Sequence, residues 1–289
     1  MNNNLCPVCE IELDTGSLST IPLATPRGNQ QWARCPGCRS FFALAPYDPE
    51  LETVHTRTRP WGMEKSGIAL NDDKSPMFQA ILRALSLYAP KGSTLLDIGC
   101  SYGGFLKLAQ KEGYNVRGMD IVPEAVEYVR SQGISCEHAK SVGDLDIPEN
   151  SVGVITALDC NYYWPSQKKE LRAIKSLLSH GGVFAVRTVD PSWAVNIGFW
   201  LKKWFPDTGQ HLCEKAVYDH RVSIPVRSLL RIVQEEGFDI IYLSQRDAMP
   251  FRQNSLKVKA AYAIAYLALH IGGWHLAPGC VFLARKRAA

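Results

Sequence analysis

Short apolar runs alternate with helix-spaced apolar positions through the middle of the chain. Residues 94–98 and 152–158 are almost continuously apolar, as in strands that are covered on both faces. Residues 105–109 and 166–179 instead carry apolar side chains at the spacing of one helix face. This alternation of strand and helix predicts an α/β fold built around a mostly parallel sheet.

A glycine turn connects the first of these strands to the helix that follows it. Residues 97–104 have the sequence Asp-Ile-Gly-Cys-Ser-Tyr-Gly-Gly, and the spacing of Gly99 and Gly103 differs from the Gly-x-Gly-x-x-Gly pattern of dinucleotide sites. The carboxylate of Asp97 would also repel a pyrophosphate bound at the helix N-terminus. The turn therefore favours a cationic ligand over a dinucleotide.

A second acidic residue follows at the end of the next predicted strand. Residues 115–120 form that strand, and Asp120 stands about 20 positions beyond the glycine turn, where an acidic side chain accepts hydrogen bonds from ribose hydroxyls. The alternative is that Asp120 caps the following helix. Pro123 already marks the start of that helix, which favours the ribose contact.

Two Cys-x-x-Cys pairs, Cys6 with Cys9 and Cys35 with Cys38, lie near the N-terminus. Each pair turns the backbone so that two thiolates face one point, and two pairs complete a closed tetrahedral site for structural zinc. Two disulfides are disfavoured because no secretion signal precedes them. A redox pair is disfavoured because the motif occurs twice and outside any βαβ unit.

The glycine turn, Asp-x-Gly-Cys-x-x-Gly-Gly, resembles motif I of the class I S-adenosylmethionine-dependent methyltransferases. The likeness extends over residues 94–189 and resumes at 219–242 and 280–285. It implies a Rossmann-like, doubly wound sheet of seven strands with the last strand antiparallel, preceded here by a small zinc ribbon. The cofactor of that family is a sulfonium with a free ammonium group, in agreement with the charge of Asp97.

The resemblance also implies which residues bind this cofactor. In most members an acidic side chain meets the adenine amino group, but Ser141 occupies that position here, so a hydroxyl or backbone contact is expected instead. The cofactor-binding residues implied are Asp97, Gly99, Cys100, Gly103, Asp120, Ile121, Ser141, Val142 and Asp159.

Methyl transfer to an alcohol or phenol requires the acceptor to lose a proton, so a base is expected near the carboxyl ends of the central strands. The candidate catalytic residues are His220, His211, Asp159 and Tyr162. We favour His220, because it begins a segment that resembles one found in many small-molecule methyltransferases of this type. The alternative is that both histidines are surface or packing residues in a loop.

The pattern divides the chain into a zinc ribbon (1–45), a connector rich in proline and aromatic residues (46–74) and a methyltransferase domain (75–289). Insertions near 191–218 and 248–278 contain apolar helical stretches that are too short to span a bilayer. We expect lid or core helices there, with helices lying on a membrane surface as the alternative.

Composition narrows the choice of function and compartment. The 289 residues carry a formal net charge of +4 without a dense basic patch, so nucleic-acid binding is not indicated. The N-terminus lacks the features of a signal peptide, which predicts a cytoplasmic chain with reduced thiols. The pattern does not specify an oligomeric state.

Bacterial methyltransferases with zinc-ribbon heads provide the resemblance from which a substrate class is predicted. It implies methyl transfer to a small-molecule acceptor, at a hydroxyl of a sugar, a glycan precursor or a secondary metabolite. The alternatives are an RNA-modifying methyltransferase and a regulatory protein that binds the cofactor without catalysis.

Overall fold

The computed structural model describes residues 4–14, 16–57, 69–218, 220–248, 256–272, 275–277 and 279–288. These residues form two sheets, and the larger one is flanked by helices on both faces. The strands are β1 (Thr20–Thr25), β2 (Gly28–Arg34), β3 (Phe41–Ala43), β4 (Thr94–Ile98), β5 (Asn115–Asp120), β6 (Ser135–His138), β7 (Val152–Leu158), β8 (Leu178–Val189), β9 (Val222–Ser223), β10 (Phe238–Ser244) and β11 (Gly279–Lys286).

Helices connect most of the strands of the larger sheet. The described α-helices are α1 (Pro49–Arg57), α2 (Ala69–Ser86), α3 (Gly104–Lys111), α4 (Pro123–Ser131), α5 (Gln167–Leu177), α6 (Ser192–Leu201), α7 (Pro206–Val217), α8 (Val226–Glu235) and α9 (Leu256–Gly272). Short 3-10 turns occur at Val142–Asp144, Asn161–Tyr163 and Arg246–Ala248.

The larger sheet has seven strands in the order β10-β11-β8-β7-β4-β5-β6. Strands β4 to β8 pair in parallel with one another, whereas β11 is antiparallel to both β8 and β10. This arrangement confirms the predicted Rossmann-like sheet with an antiparallel last strand. The carboxyl ends of β4, β5 and β7 therefore meet at one edge, where open α/β sheets bind their ligands.

Alternating side chains of each strand divide the core into two layers. Leu95 and Val154 face the layer that contains α2, α3 and α4. Their neighbours Leu96 and Ile155 face the layer that contains α5 and α8. Because both faces are covered, β4 and β7 are almost continuously apolar, as their sequence indicated.

Several boundaries differ from the sequence prediction. Helix α5 ends at Leu177 and strand β8 begins at Leu178, so the last two residues of the helix pattern at 166–179 belong to the strand. Helix α2 begins at Ala69, inside the predicted connector, and Pro76 lies within the helix. A proline removes one amide donor, and the helical turns on both sides of Pro76 persist.

The connector contains regular structure that the pattern did not indicate. Helix α1 occupies Pro49–Arg57, and the aspartate before it, Asp48, accepts hydrogen bonds from the amides of Glu50 and Leu51 at 2.9 and 3.2 Å. That contact is an N-cap, which satisfies amide donors in the first turn. Residues 58–68 of the predicted connector lie outside the described residues, as do 249–255 of the second predicted insertion.

The smaller sheet joins the N-terminal segment to the methyltransferase core. Its strand order is β1-β2-β3-β9, and the pairs Phe41 with Ser223 and Phe42 with Val222 connect residues that are distant in the chain. The Ser228 hydroxyl also donates to the Cys38 carbonyl at 2.6 Å. The ribbon is therefore continuous with the core through backbone pairing.

Helices α6 and α7 cover the smaller sheet and cross each other closely. Val195 of α6 and Cys213 of α7 join the buried cluster that contains Trp32 and Phe41. A Cβ atom added at Gly209 would lie 2.4 Å from the Lys202 amide nitrogen. The helices approach to backbone contact, so this position admits only glycine without rearrangement.

We predict that Gly209→Ala separates α6 from α7 and destabilises the protein. Alanine normally favours a helix over glycine, but here its methyl group meets backbone atoms, so a net loss of about 1–3 kcal/mol is expected. The free energy of unfolding in urea measures the change. The matched control is Gly143→Ala, since the nearest atom to an added Cβ at Gly143 lies 3.8 Å away. Equal stability of the two variants would contradict the close crossing.

Candidate cofactor and acceptor site

A cavity of about 430 Å³ opens at the carboxyl edge of the central strands. Its volume lies within the ~300–1,000 Å³ range of small-molecule pockets. Residues after β4, β5 and β7 form one side of it, and residues of the N-terminal connector contribute Tyr47 and Glu52. The cavity therefore lies between the Rossmann-like core and the N-terminal segment.

Asp97 lies near the end of β4 at the base of the cavity and is buried. Its Oδ1 accepts a hydrogen bond of 2.6 Å from the hydroxyl of Thr156 on the adjacent strand. Burial, with a smaller contribution from the nearby carboxylate of Asp120, raises the pKa of Asp97 to about 7, while the hydrogen bond from Thr156 opposes the rise. A carboxyl group with this environment is complementary to a positively charged ligand.

The glycine turn has a backbone that side chains would obstruct. Gly99 has a φ of 69°, and a Cβ atom there would lie 2.9 Å from Cβ of Cys160. Gly103 has a φ of 74° and precedes the first residue of α3. Ser101 between them also adopts positive φ, at 49°. The turn thus leads the chain tightly from β4 into α3 and leaves the cavity open in front of it.

Asp120 ends β5 on the same side of the cavity. Its carboxylate accepts hydrogen bonds from the amides of Ser101 at 2.8 Å and Val122 at 2.9 Å. Burial raises the pKa of Asp120, while the two amides oppose that rise. The side chain is therefore fixed to the glycine turn and retains acceptor capacity for hydroxyl groups. Ile121, which follows it, also lines the cavity.

Two residues expected near adenine have a different environment. The Ser141 hydroxyl donates to Oε1 of Glu170 at 2.7 Å, and the Val142 amide donates to Oε2 at 2.8 Å. The described lining of the cavity includes Ala139 and Lys140 at this point, but not Ser141 or Val142. Sequence analysis did not identify Glu170, because strand β7 and a loop separate it from Ser141 and Val142 along the chain.

Asp159 lines the cavity and forms an ion pair with Arg187. Arg187 lies on β8 and also donates to the carbonyl of Ala248 at 3.1 Å. A carboxylate held by a largely buried guanidinium is stabilised in its charged form. Cys100, the other predicted cofactor contact in this region, also lines the cavity, and its sulfur lies 3.6 Å from that of Cys136.

The four candidate catalytic residues do not all meet. Tyr162 lines the cavity, and its ring packs against that of His220 with centroids 4.1 Å apart. Burial raises the pKa of Tyr162 well above its usual value, and Asp159 adds to the effect. His211 instead lies on an exposed position of α7, and neither His211 nor His220 is among the described lining residues.

A buried ion pair connects the N-terminal segment to the cavity, and sequence analysis did not identify it. Both nitrogens of the Arg27 fork contact Glu52 at 2.8 Å, and Arg221 approaches the same carboxylate at 3.9 Å. Arg221 also donates to the Ala45 carbonyl at 2.9 Å and lies over the ring of Tyr47. These contacts fix the two connector residues that line the cavity.

The four N-terminal cysteines form one cluster, as predicted. Their sulfur atoms all lie within 4.8 Å of one another, and the sulfurs of Cys6 and Cys38 and of Cys9 and Cys35 are each 3.7 Å apart. Tetrahedral Zn–S bonds of about 2.3 Å require sulfurs about 3.8 Å apart. The amides of Val8 and Cys38 point at cysteine sulfurs at 3.4 Å. The cluster fits a zinc ribbon.

Comparison with known proteins agrees with this geometry. A family model described as a methyltransferase domain matches residues 71–243, which is more than half of the chain. The match includes α2, the glycine turn and the strands from β4 to β10. It excludes the cysteine cluster and the connector residues that line the cavity.

Two curated relatives share part of the sequence. A 2-methyl-6-phytyl-1,4-hydroquinone methyltransferase from Synechocystis sp. is 27% identical over 39% of this chain, and the match spans 38% of that enzyme. A ubiquinone biosynthesis O-methyltransferase from Xanthomonas axonopodis pv. citri is 24% identical over 62% of this chain and 76% of its own length.

Solved structures share the fold at lower sequence identity. One is a chain in the complex between the Haloferax volcanii Trm112 methyltransferase activator and a methyltransferase, with TM-score 0.55, 14% identity and coverage of 79% and 96% of the two chains. Another is an S-adenosylmethionine-dependent methyltransferase from Mesorhizobium loti, with TM-score 0.51, 18% identity and coverage of 74% and 98%. The chain thus belongs to the methyltransferase-domain family and has a Rossmann-like fold.

Proposed function

We propose that this enzyme transfers a methyl group from S-adenosylmethionine to a hydroxyl of a small phenolic molecule. The observation that carries the proposal is the aromatic wall of the cavity, which consists of Tyr47, Phe78, Tyr162, Tyr163 and Trp164. Aromatic side chains stack on planar rings, and they add to the energy gained from burying apolar area. A planar acceptor is therefore favoured over a flexible chain.

The cofactor side of the proposal rests on two buried carboxylates and the turn between them. S-adenosylmethionine supplies an electrophilic methyl group. Asp97 would face its positive charge, and Asp120 would accept hydrogen bonds from its ribose. Because Gly99 and Gly103 carry no side chains, the backbone of the turn can approach such a ligand closely.

The acceptor side of the proposal assigns different roles to Tyr162 and His220. Tyr162 retains its proton near neutral pH, because burial raises its pKa, and it would orient the acceptor by donating a hydrogen bond. His220, in ring contact with Tyr162, would take the proton of the acceptor hydroxyl as its oxygen attacks the methyl carbon. Asp159 would hold Arg187 at the edge of the site instead of acting as the base.

The names of the curated relatives support a phenolic acceptor. One is named for a hydroquinone and the other for ubiquinone biosynthesis. Sugars and glycan precursors, which the zinc-ribbon resemblance suggested, also stack on aromatic side chains and are the competing acceptors. Turnover to S-adenosylhomocysteine with catechols, hydroquinones and monosaccharides tests the proposal. Methylation of monosaccharides alone would overturn it.

For the N-terminal cluster we propose a structural zinc ion held by Cys6, Cys9, Cys35 and Cys38. Four thiolates complete the coordination of zinc and leave no open position for catalysis. The ion would hold the ribbon in register with β9. Through Arg27 and Glu52 it would also support the aromatic wall of the cavity. The nine cysteines form no disulfide bonds, which is consistent with a cytoplasmic enzyme.

We predict that cofactor affinity falls as the pH falls below 7. The pKa of Asp97 is raised to about 7 in the free protein, and a cationic ligand binds the charged carboxylate, so binding at low pH must displace a proton. The dissociation constant of S-adenosylmethionine should therefore rise about tenfold between pH 8 and pH 6. Calorimetry measures it, and Asp97→Asn should bind weakly without this pH dependence. A constant affinity in the wild type would contradict the assignment.

Replacing His220 by alanine should lower kcat by ~100- to 10,000-fold and leave the affinity for S-adenosylmethionine unchanged, because a general base acts only on the acceptor. Rates are measured over a range of pH with the acceptor that the turnover experiment selects, and high pH should partly restore the rate. His211→Ala provides the matched control, since His211 is exposed on α7. Wild-type turnover of the His220 variant would remove it from the mechanism.

Removal of zinc should raise the KM for the acceptor more than the dissociation constant of the cofactor. The cofactor contacts come from β4 and β5, whereas Tyr47 and Glu52 depend on the ribbon for their positions. Elemental analysis should find one zinc per chain, and chelation followed by re-addition of zinc should abolish and restore acceptor binding. Full activity in protein shown to be zinc-free would disprove this role.

A further inference from the structure

Helix α6 presents an apolar stripe to solvent. Trp193, Ile197 and Trp200 are exposed and are spaced four and three residues apart, which places them on one helix face. Trp204 and Phe205 extend the stripe beyond the helix end, and Trp204 is 72% exposed. Aromatic side chains carry about 150–250 Å² each, so the stripe is large for a surface left uncovered.

The opposite face of α6 is firmly packed. Ala194, Val195 and Gly198 are buried, and Val195 belongs to the cluster formed with the smaller sheet. The side chain of Asn196 accepts a hydrogen bond from Arg34 of β2. The outward direction of the tryptophans is therefore set by the fold, because rotating the helix would expose its packed face.

Helix α9 leaves a second apolar surface uncovered. Leu256, Ile264, Tyr266, Leu267 and Ile271 are all exposed, and Ile271 is 84% exposed. Among the described side chains of α9, only that of Ala265 is buried. A helix that is apolar on nearly all sides normally lies in a core or against a membrane.

The start of α6 and the end of α9 lie near one another at the carboxyl edge of the sheet. Asp190 follows the carboxyl end of β8 and precedes α6, while His275 follows α9, and their side chains lie 3.5 Å apart. The backbone pair of Val189 with Gly279 joins the same two segments. The end of α9 and the start of α6 are therefore neighbours beside the site.

The charged residues within the two apolar segments are lysines, and the exposed Asp207 lies just beyond the first segment. Residues 192–205 contain Lys202 and Lys203 and no carboxylate, and residues 256–272 contain Lys257 and Lys259 and no carboxylate. A two-fold dimer would place each surface against its own copy and bring like charges together. An anionic surface instead complements the lysines.

We propose that α6 and α9 form a docking surface for an anionic phospholipid bilayer, with both helices lying in its interfacial layer. Tryptophan and tyrosine favour this layer, and lysines beside it contact anionic headgroups. No helix among the described parts of the chain is both long and apolar enough to cross a bilayer. Docking would bring the mouth of the cavity to the lipid surface, whatever the acceptor is.

Flotation of the full chain with vesicles tests the proposal. Binding is expected to vesicles of phosphatidylcholine mixed with phosphatidylglycerol, and to be weaker on phosphatidylcholine alone. The double variant Trp200→Glu with Trp204→Glu should lose at least ~30-fold in partitioning, because two large apolar side chains no longer enter the interface. Lys202→Gln with Lys203→Gln should lose ~30-fold on the anionic vesicles alone.

Leu87→Glu is the matched control. Leu87 is 73% exposed, which is close to the 72% of Trp204. It precedes the amino end of β4, however, and so lies at the opposite edge of the sheet. Its variant should bind vesicles as the wild type does. Wild-type protein that binds neither vesicle overturns the proposal, and so do tryptophan variants that bind as well as the control. A dimer in sedimentation that the tryptophan variant abolishes would show a second copy on the surface and also overturn it.

Discussion

The buried ion pair between Arg27 and Glu52 joins the N-terminal ribbon to the connector helix beside the cavity. It connects the turn between β1 and β2 to helix α1, and Arg221 brings the segment before β9 into the same network. A buried charge that loses its partner costs about 3–5 kcal/mol, so the three residues depend on one another. The cavity is consequently formed by the N-terminal segment as well as by the methyltransferase domain.

The carboxylates at the ends of β4 and β5 follow a different electrostatic rule. Asp97 and Asp120 are both buried, burial raises the pKa of each, and the charge of Asp120 adds to the rise for Asp97. Folding therefore creates a site whose negative charge is incompletely compensated until a cation binds. The same arrangement excludes dinucleotides, since a pyrophosphate would add further negative charge at the N-terminus of α3.

Sequence alone predicted the features that depend on local pattern. The bounds of β4, β5 and β7 agree with the predicted strands, and the four cysteines meet as their spacing required. The missed features depend on contacts between distant segments. Arg187 meets Asp159 across two strands, and β9 is only two residues long, so neither leaves a periodic signal. Ser141 aligned with an adenine-binding position, but its side chain turns to Glu170.

The pairing of β3 with β9 has a consequence for synthesis of the chain on the ribosome. The contact between Cys38 and Ser228 joins residues 190 positions apart. During translation the N-terminal hairpin emerges early, and the outer edge of β3 remains open until nearly the whole core has followed. Exposed strand edges can pair with strands of other molecules. The edge of β3 is therefore open to such pairing until β9 has been synthesised. The four-cysteine cluster near that edge can order the hairpin before β9 is synthesised and pairs with β3.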